Sequence, residues 1–213
     1  MAMGIKVKKA KIWSSIADIV FCIDCSFSMI PVIDSIKENI LALVKSFDEM
    51  EIEFDWRARV VGFRDAIVYD KPFVSTVEGV KHQLDTIKAQ GIVENDPSPL
   101  VETIESVIKD HAWRRASHKI VMAFTDTGAT VKTGFDVAGL IDEMWMQHIK
   151  LVLWCPNDLV YNVLRKTPRS YIYQFDDPID FYYHKNIDFD IFFDCVDPRR
   201  DPDYPPDDIE DIL

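Results

Sequence analysis

Two short runs of this chain share one design and constrain its fold more than anything else. Residues 17–24, ADIVFCID, and 119–126, KIVMAFTD, are almost continuously apolar, rich in β-branched residues, and each ends in an acid. An uninterrupted apolar run of this length fits a strand covered on both faces, as in a parallel sheet flanked by helices. IKLVLW (149–154), stopped by Pro156, repeats the buried pattern, and SYIYQF (170–175) is a last strand. Between the runs lie helical periodicities. Ile33, Ile36, Ile40, Leu41, Leu43, Val44 and Phe47 recur at three- and four-residue steps after Pro31, which predicts an amphipathic helix of roughly four turns. Further helices are expected over 78–90, from Leu100, over 135–146 and over 159–165. In EFDWRARVVGFRD (53–65), Arg57 and Arg59 alternate with apolar residues, predicting a strand with one wetter face. Residues 66–74, broken by Asp70-Lys71-Pro72, read as an edge strand.

Strand and helix thus alternate through residue 175. The fold class this predicts is α/β: an open, mostly parallel, doubly wound sheet with one antiparallel edge strand and helices on both faces. A single domain is expected over 15–175. Residues 176–213 differ in character. Thirteen acids face only Lys185, Arg199 and Arg200 there, so this segment carries −10 of the total −12. Its prolines and exposed acids predict an extension that is partly disordered. The aromatics Phe181, Tyr182, Tyr183, Phe189, Phe192 and Phe193 predict packing over 178–196, and 197–213 is expected to be loose.

The acidic balance argues against nucleic acid and anionic membrane as partners. The start, MAMGIKVKKAKIW, has basic residues but no apolar stretch behind them, and no run approaches the roughly 20 residues of a membrane span. Four cysteines in 213 residues do not form a disulfide scaffold. A cytoplasmic protein with reduced thiols is the expectation. Cys22-x-x-Cys25 lies in a strand and its exit, where neighbouring side chains leave on opposite faces. Cys22 reads as core. Arg64-Asp65 reads as an ion pair, either bracing the strand ends or lying free on the surface. Trp113-Arg114-Arg115 reads as a solvated helix end, with contact to an acidic partner as the alternative.

In an open α/β sheet, ligands sit beyond the carboxyl ends of the strands. Asp24-x-Ser26-x-Ser28, the loop GIVENDPSP (91–99) and Asp126 should all meet there. Their donors are hard oxygens, which select Mg²⁺, or Mn²⁺ or Ca²⁺, over zinc or copper. The same residues allow a blander reading, in which Asp24 and the serines shape a turn and Ser98 caps a helix with Glu102 nearby.

Asp24-Cys25-Ser26-Phe27-Ser28 resembles the D-x-S-x-S motif of von Willebrand factor type A domains, the fold of integrin I domains. There it starts a metal-ion-dependent adhesion site, completed by a Thr from a middle loop and an Asp after the fourth strand. Asp126 in FTDTGA resembles that last Asp, and Ser98 of Ser98-Pro99-Leu100 falls where the Thr would. Asp96 and Glu94, in the same loop, are alternative ligands. VVGFRD (60–65) resembles the second-strand pattern of the intracellular bacterial members. The resemblance implies a metal set of Asp24, Ser26, Ser28, Ser98 and Asp126. It also implies a non-enzymatic module that engages a carboxylate of a protein partner, within a multi-component cytosolic assembly such as a stress-response system.

Two alternatives stay open. One is a metal-dependent phosphohydrolase, which uses Mg²⁺ and a strand-end Asp on similar sheets. Against it, the position two residues after Asp24 is Ser26 rather than a second acid, and neither G-x-x-x-x-G-K-[ST] nor G-x-S-x-G occurs. The other is a scaffold whose metal site is inactive.

Overall fold

The structure is a computed structural model that describes residues 14–50, 53–90, 99–110, 112–167, 170–175, 192 and 195–196. In chain order the elements are β1 (Ser14–Asp24), α1 (Ile33–Ser46), β2 (Glu53–Phe63), β3 (Ile67–Asp70), α2 (Val77–Thr86), α3 (Leu100–Lys109), β4 (His118–Phe124), α4 (Val137–Met146), β5 (Ile149–Pro156), α5 (Leu159–Leu164) and β6 (Ser170–Phe175). The sheet order is β3-β2-β1-β4-β5-β6. Every neighbouring pair is parallel except β2 and the edge strand β3. Chain progression reverses between β1 and β4, which makes their carboxyl ends the topological switch point.

Alternation along β1 explains why its run had to be apolar on both sides. Ile19, Phe21 and Ile23 enter one core with α1 and α2, together with Ile36, Ile40 and Leu84. Val20 and Cys22 enter a second core with α3, α4 and α5, together with Ile104, Leu140 and Tyr161. Among the described residues, three helices carry a side-chain cap on an otherwise orphan amide. Thr76 accepts from Gly79 N at 3.1 Å, Asp136 from Gly139 N at 2.9 Å and Asp158 from Val160 N at 2.7 Å.

Two sequence expectations are refined. The Arg57/Arg59 face of β2 is the wetter one at its start, where Glu53 and Asp55 are exposed and Arg57 is half-buried, but it does not stay wet. Arg59 is buried and pairs with Asp70 at 3.2 Å and Asp110 at 2.7 Å, while both guanidinium groups stack on Phe73. Nor is Arg114 a solvated helix end. It donates to Asp18 from its backbone N at 2.6 Å and its Nε at 2.7 Å, and its Nη1 reaches Asp55 at 2.8 Å. Arg57 adds two more bonds to Asp18, each 2.8 Å. Asp18 sits inside an apolar run yet is fully buried, and a buried carboxylate survives only with such partners.

Beyond β6, Phe192, Cys195 and Val196 belong to the α1-side core. Phe192 stacks on Phe47 with centroids 4.9 Å apart, and Val196 O accepts from Ser15 Oγ at 2.7 Å. The other residues of the 176–213 segment, including those expected to be loose, lie outside the described residues. No helix among the described residues is long and apolar enough to cross a membrane.

Candidate metal centre

β1 ends at Asp24, which is buried, and the chain leaves the sheet through a 3-10 turn over Phe27–Met29. The turn is pinned rather than loose. Met29 is buried in the α1-side core. Cys25 N donates to Phe63 O at 2.7 Å, and Cys25 O accepts from Gln90 N at 2.9 Å. Gly62 of β2 makes the close approach possible, because a Cβ there would stand 2.6 Å from Tyr69 and 3.0 Å from Cys25 Sγ. Cys22 and Cys25 fall in the two cores on opposite faces, and burial pushes both thiols up to about 12. All four cysteines are free thiols.

The exit places oxygen atoms around one point. Asp24 Oδ1 accepts from Ser26 N at 2.8 Å, so the turn geometry of the blander reading is present. It coexists with long-range bonds that a turn does not need. Asp24 Oδ2 accepts from Thr125 Oγ1 at 2.6 Å and from Thr127 Oγ1 at 3.2 Å. Ser26 Oγ and Ser28 Oγ are 3.0 Å apart, and Ser28 Oγ donates to Asp126 Oδ1 at 2.9 Å. Asp24, Ser26, Ser28 and Asp126 are therefore gathered by β1 and β4 at the switch point.

Asp126 is buried, and its carboxyl is pushed up to about 6. Loss of hydration is the main cause; the Ser28 hydroxyl opposes it and the neighbouring Asp24 charge adds to it. Two close carboxylates at a desolvated rim repel each other unless positive charge stands between them. Among the described residues, no three His, Cys, Asp or Glu side chains gather at one point. The donor set is thus two carboxylates with serine hydroxyls. Hard neutral and anionic oxygens in that mix suit Mg²⁺ or Mn²⁺ with retained waters.

Ser98, Asp96 and Glu94 lie outside the described residues. Helix α3 begins after Pro99 and precedes β4 in the chain. Glu102 does not turn back to cap α3; its Oε1 accepts from Lys132 N at 3.0 Å and ties the helix to the segment after Asp126. Arg64 and Asp65 form an exposed pair at 3.1 Å. Thr125 and Thr127 went unpredicted, although FTDTGA shows a hydroxyl on each side of Asp126. Tyr161 of α5 donates to Thr127 O at 3.1 Å and steadies the second hydroxyl.

Comparison with known proteins places this geometry in context. No curated protein matches the sequence. The fold is similar to a von Willebrand factor type A structure from Catenulispora acidiphila, at 14% identity and TM-score 0.61, covering 80% of this chain and 41% of that one. It is also similar to proximal thread matrix protein 1 from the mussel byssus, at 16% identity and TM-score 0.64, covering 86% and 47%. The chain spans less than half the length of these solved structures. The family model for the von Willebrand factor type A domain matches residues 18–177, three quarters of the sequence, and the chain belongs to that family.

Proposed function

We propose that this domain is a non-enzymatic binding module that engages a carboxylate of a partner protein through a divalent cation, Mg²⁺ or Mn²⁺. Domains of the family are generally protein-interaction modules. Asp24, Ser26, Ser28 and Asp126 would hold the ion, with one residue of the 94–98 loop (Ser98, Asp96 or Glu94) completing the set. The observation that carries this reading is the 2.9 Å bond from Ser28 to Asp126, which joins the exits of β1 and β4 through hard oxygens. A bound cation supplies an electrophilic position for an incoming carboxylate. The protein's own share is to hold the hydroxyls on a pinned turn and to keep Asp126 poorly hydrated, so that ionising it favours cation uptake. Ser26 stands where a Mg²⁺-dependent phosphohydrolase would carry its second acid, which favours binding over turnover.

The proposed setting is a cytoplasmic multi-component assembly. Co-purification from the native host, with and without chelator, tests the reading. A specific protein lost on chelation, and lost again in Asp126→Ala, is the expected result. An unchanged set of bound proteins, or metal-dependent phosphatase turnover abolished by Asp24→Ala, would overturn it.

A further inference from the structure

A second polar site lies away from the candidate metal centre, on the α3 side of β2. Arg59 lines a cavity of about 210 Å³ there, with Asp70, Asp110 and the apolar Val61, Ile67 and Val107. In the sheet register Arg59 stands beside Val20, and Phe63 beside Asp24. Arg59 is thus four residues, about 13 Å, down the strand from the level of Asp24.

The cavity carries two unmet demands. The first is a donor. Arg59 is 5% exposed, and both of its ion pairs are made by Nη1, to Asp70 Oδ1 at 3.2 Å and Asp110 Oδ2 at 2.7 Å. Its Nε is buried and has no acceptor among the described residues, a condition that native structures rarely leave without a use. The second is a charge. The carboxylates of Asp70 and Asp110 are 56% and 37% exposed and share one guanidinium, which leaves one negative charge in excess. Neighbouring cations do not supply the balance. Arg57 and Arg114 are held by Asp18 and Asp55. Lys109 pairs with Glu105 at 2.6 Å. The Lys71 ammonium lies 5.8 Å from the ring of Tyr69, which packs on the α1-side core.

A ligand that answers both demands carries a cation and, close beside it, a neutral acceptor oxygen. The α-ammonium and first carbonyl oxygen of a polypeptide form such a pair, about 3 Å apart. A lysine side chain brings the cation with no acceptor next to it, and would leave Nε unpaired. A free amino acid adds a carboxylate and restores the excess negative charge. We propose that this cavity captures the free N-terminus of a partner polypeptide, a known mode of peptide recognition. The α-ammonium faces Asp70 and Asp110, the first carbonyl oxygen accepts from Arg59 Nε, and the first side chain rests on Val61, Ile67 and Val107. The cavity is smaller than the roughly 300–1,000 Å³ of pockets for drug-sized ligands, so one small aliphatic residue such as alanine or valine enters it. This site works without the cation of the metal-binding reading.

The test is calorimetric titration of the full chain with the tripeptide amide Val-Gly-Gly-NH2, in EDTA so that the metal centre takes no part. The expected Kd is roughly 0.1–1 mM. The N-acetylated tripeptide, which lacks the ammonium, and isobutylamine, which lacks the carbonyl, should each bind at least about tenfold more weakly. Asp70→Asn, at an exposed carboxylate, should weaken the tripeptide several-fold with Tm little changed. Arg59→Lys keeps the charge but removes the Nε donor, and should bring the tripeptide and isobutylamine to similar affinity. Should that variant fail to fold, the ligand series in the native chain carries the test. No saturable binding at about 10 mM tripeptide, equal binding of the acetylated form, or undiminished binding by Asp70→Asn overturns the inference. Equal binding of isobutylamine to the native chain reduces the cavity to a simple amine site and overturns the N-terminus assignment.

Discussion

Ser28 Oγ and Asp126 Oδ1 are 2.9 Å apart although 98 residues separate them in sequence. The bond spans the two strands between which the sheet changes direction. It gives Asp126 a hydroxyl donor but no compensating charge, and the acid remains pushed up to about 6 by burial and by Asp24.

That shift makes the ion-free protein sensitive to pH in an unusual direction. The folded form holds the Asp126 proton up to about 6, whereas the ordinary value is 3.8. Between those values the native state binds more protons than the unfolded chain, so stability falls as pH rises, by at most about 3 kcal/mol. In EDTA, Asp126→Asn should match the native chain near pH 4 and exceed its stability above pH 6. Urea denaturation across pH 4–8 reads this directly; a native chain no less stable than the variant at pH 7 contradicts it.

The opposite end of the sheet depends on Asp18. Burial acts to raise its pKa, but the bonds from Arg57 and Arg114 outweigh it and hold the carboxyl below the ordinary value. This contribution is present above pH 3.8 and is lost as pH falls through the lowered folded value. Asp18→Ala leaves Arg57 and Arg114 facing an empty site. It should cost about 3–5 kcal/mol, measured as a lower urea midpoint with an unchanged slope.

Phe192 lies beyond the last strand yet is 1% exposed and stacked on Phe47. Phe192→Ala should therefore behave as a core truncation, destabilising by about 3–5 kcal/mol. A change below about 0.5 kcal/mol in the same urea assay would mean that this segment is not part of the domain core.

The sheet was legible because its strands are local apolar runs, and the ends of β1 and β4 announce themselves as acids closing those runs. The Asp24–Ser26–Ser28 exit was legible for the same reason: its spacing is contained within five residues. Asp18 was not. Its partners lie 39 and 96 residues away, and an acid inside an apolar run carries no local sign of which cations will reach it. Arg114 looked solvated because the same pairing is invisible from its own neighbours. Phe192 could be read as wanting burial, but its contact with Phe47 depends on a chain path that periodicity does not encode. Thr125 and Thr127 were visible as hydroxyls beside Asp126. Their role appears only when β4 is placed against β1 and both reach Asp24 Oδ2.

The most direct measurement is the melting temperature of chelator-stripped protein as Mg²⁺ or Mn²⁺ is added, for the native chain and for Ser28→Ala and Asp126→Asn. At an ion concentration near one hundred times Kd, binding adds about 2.7 kcal/mol, a rise of roughly 5–10 °C for a domain of this size. The account predicts that rise in the native chain, a smaller one in Ser28→Ala and none in Asp126→Asn. Identical melting of all three chains with and without the ion would contradict it.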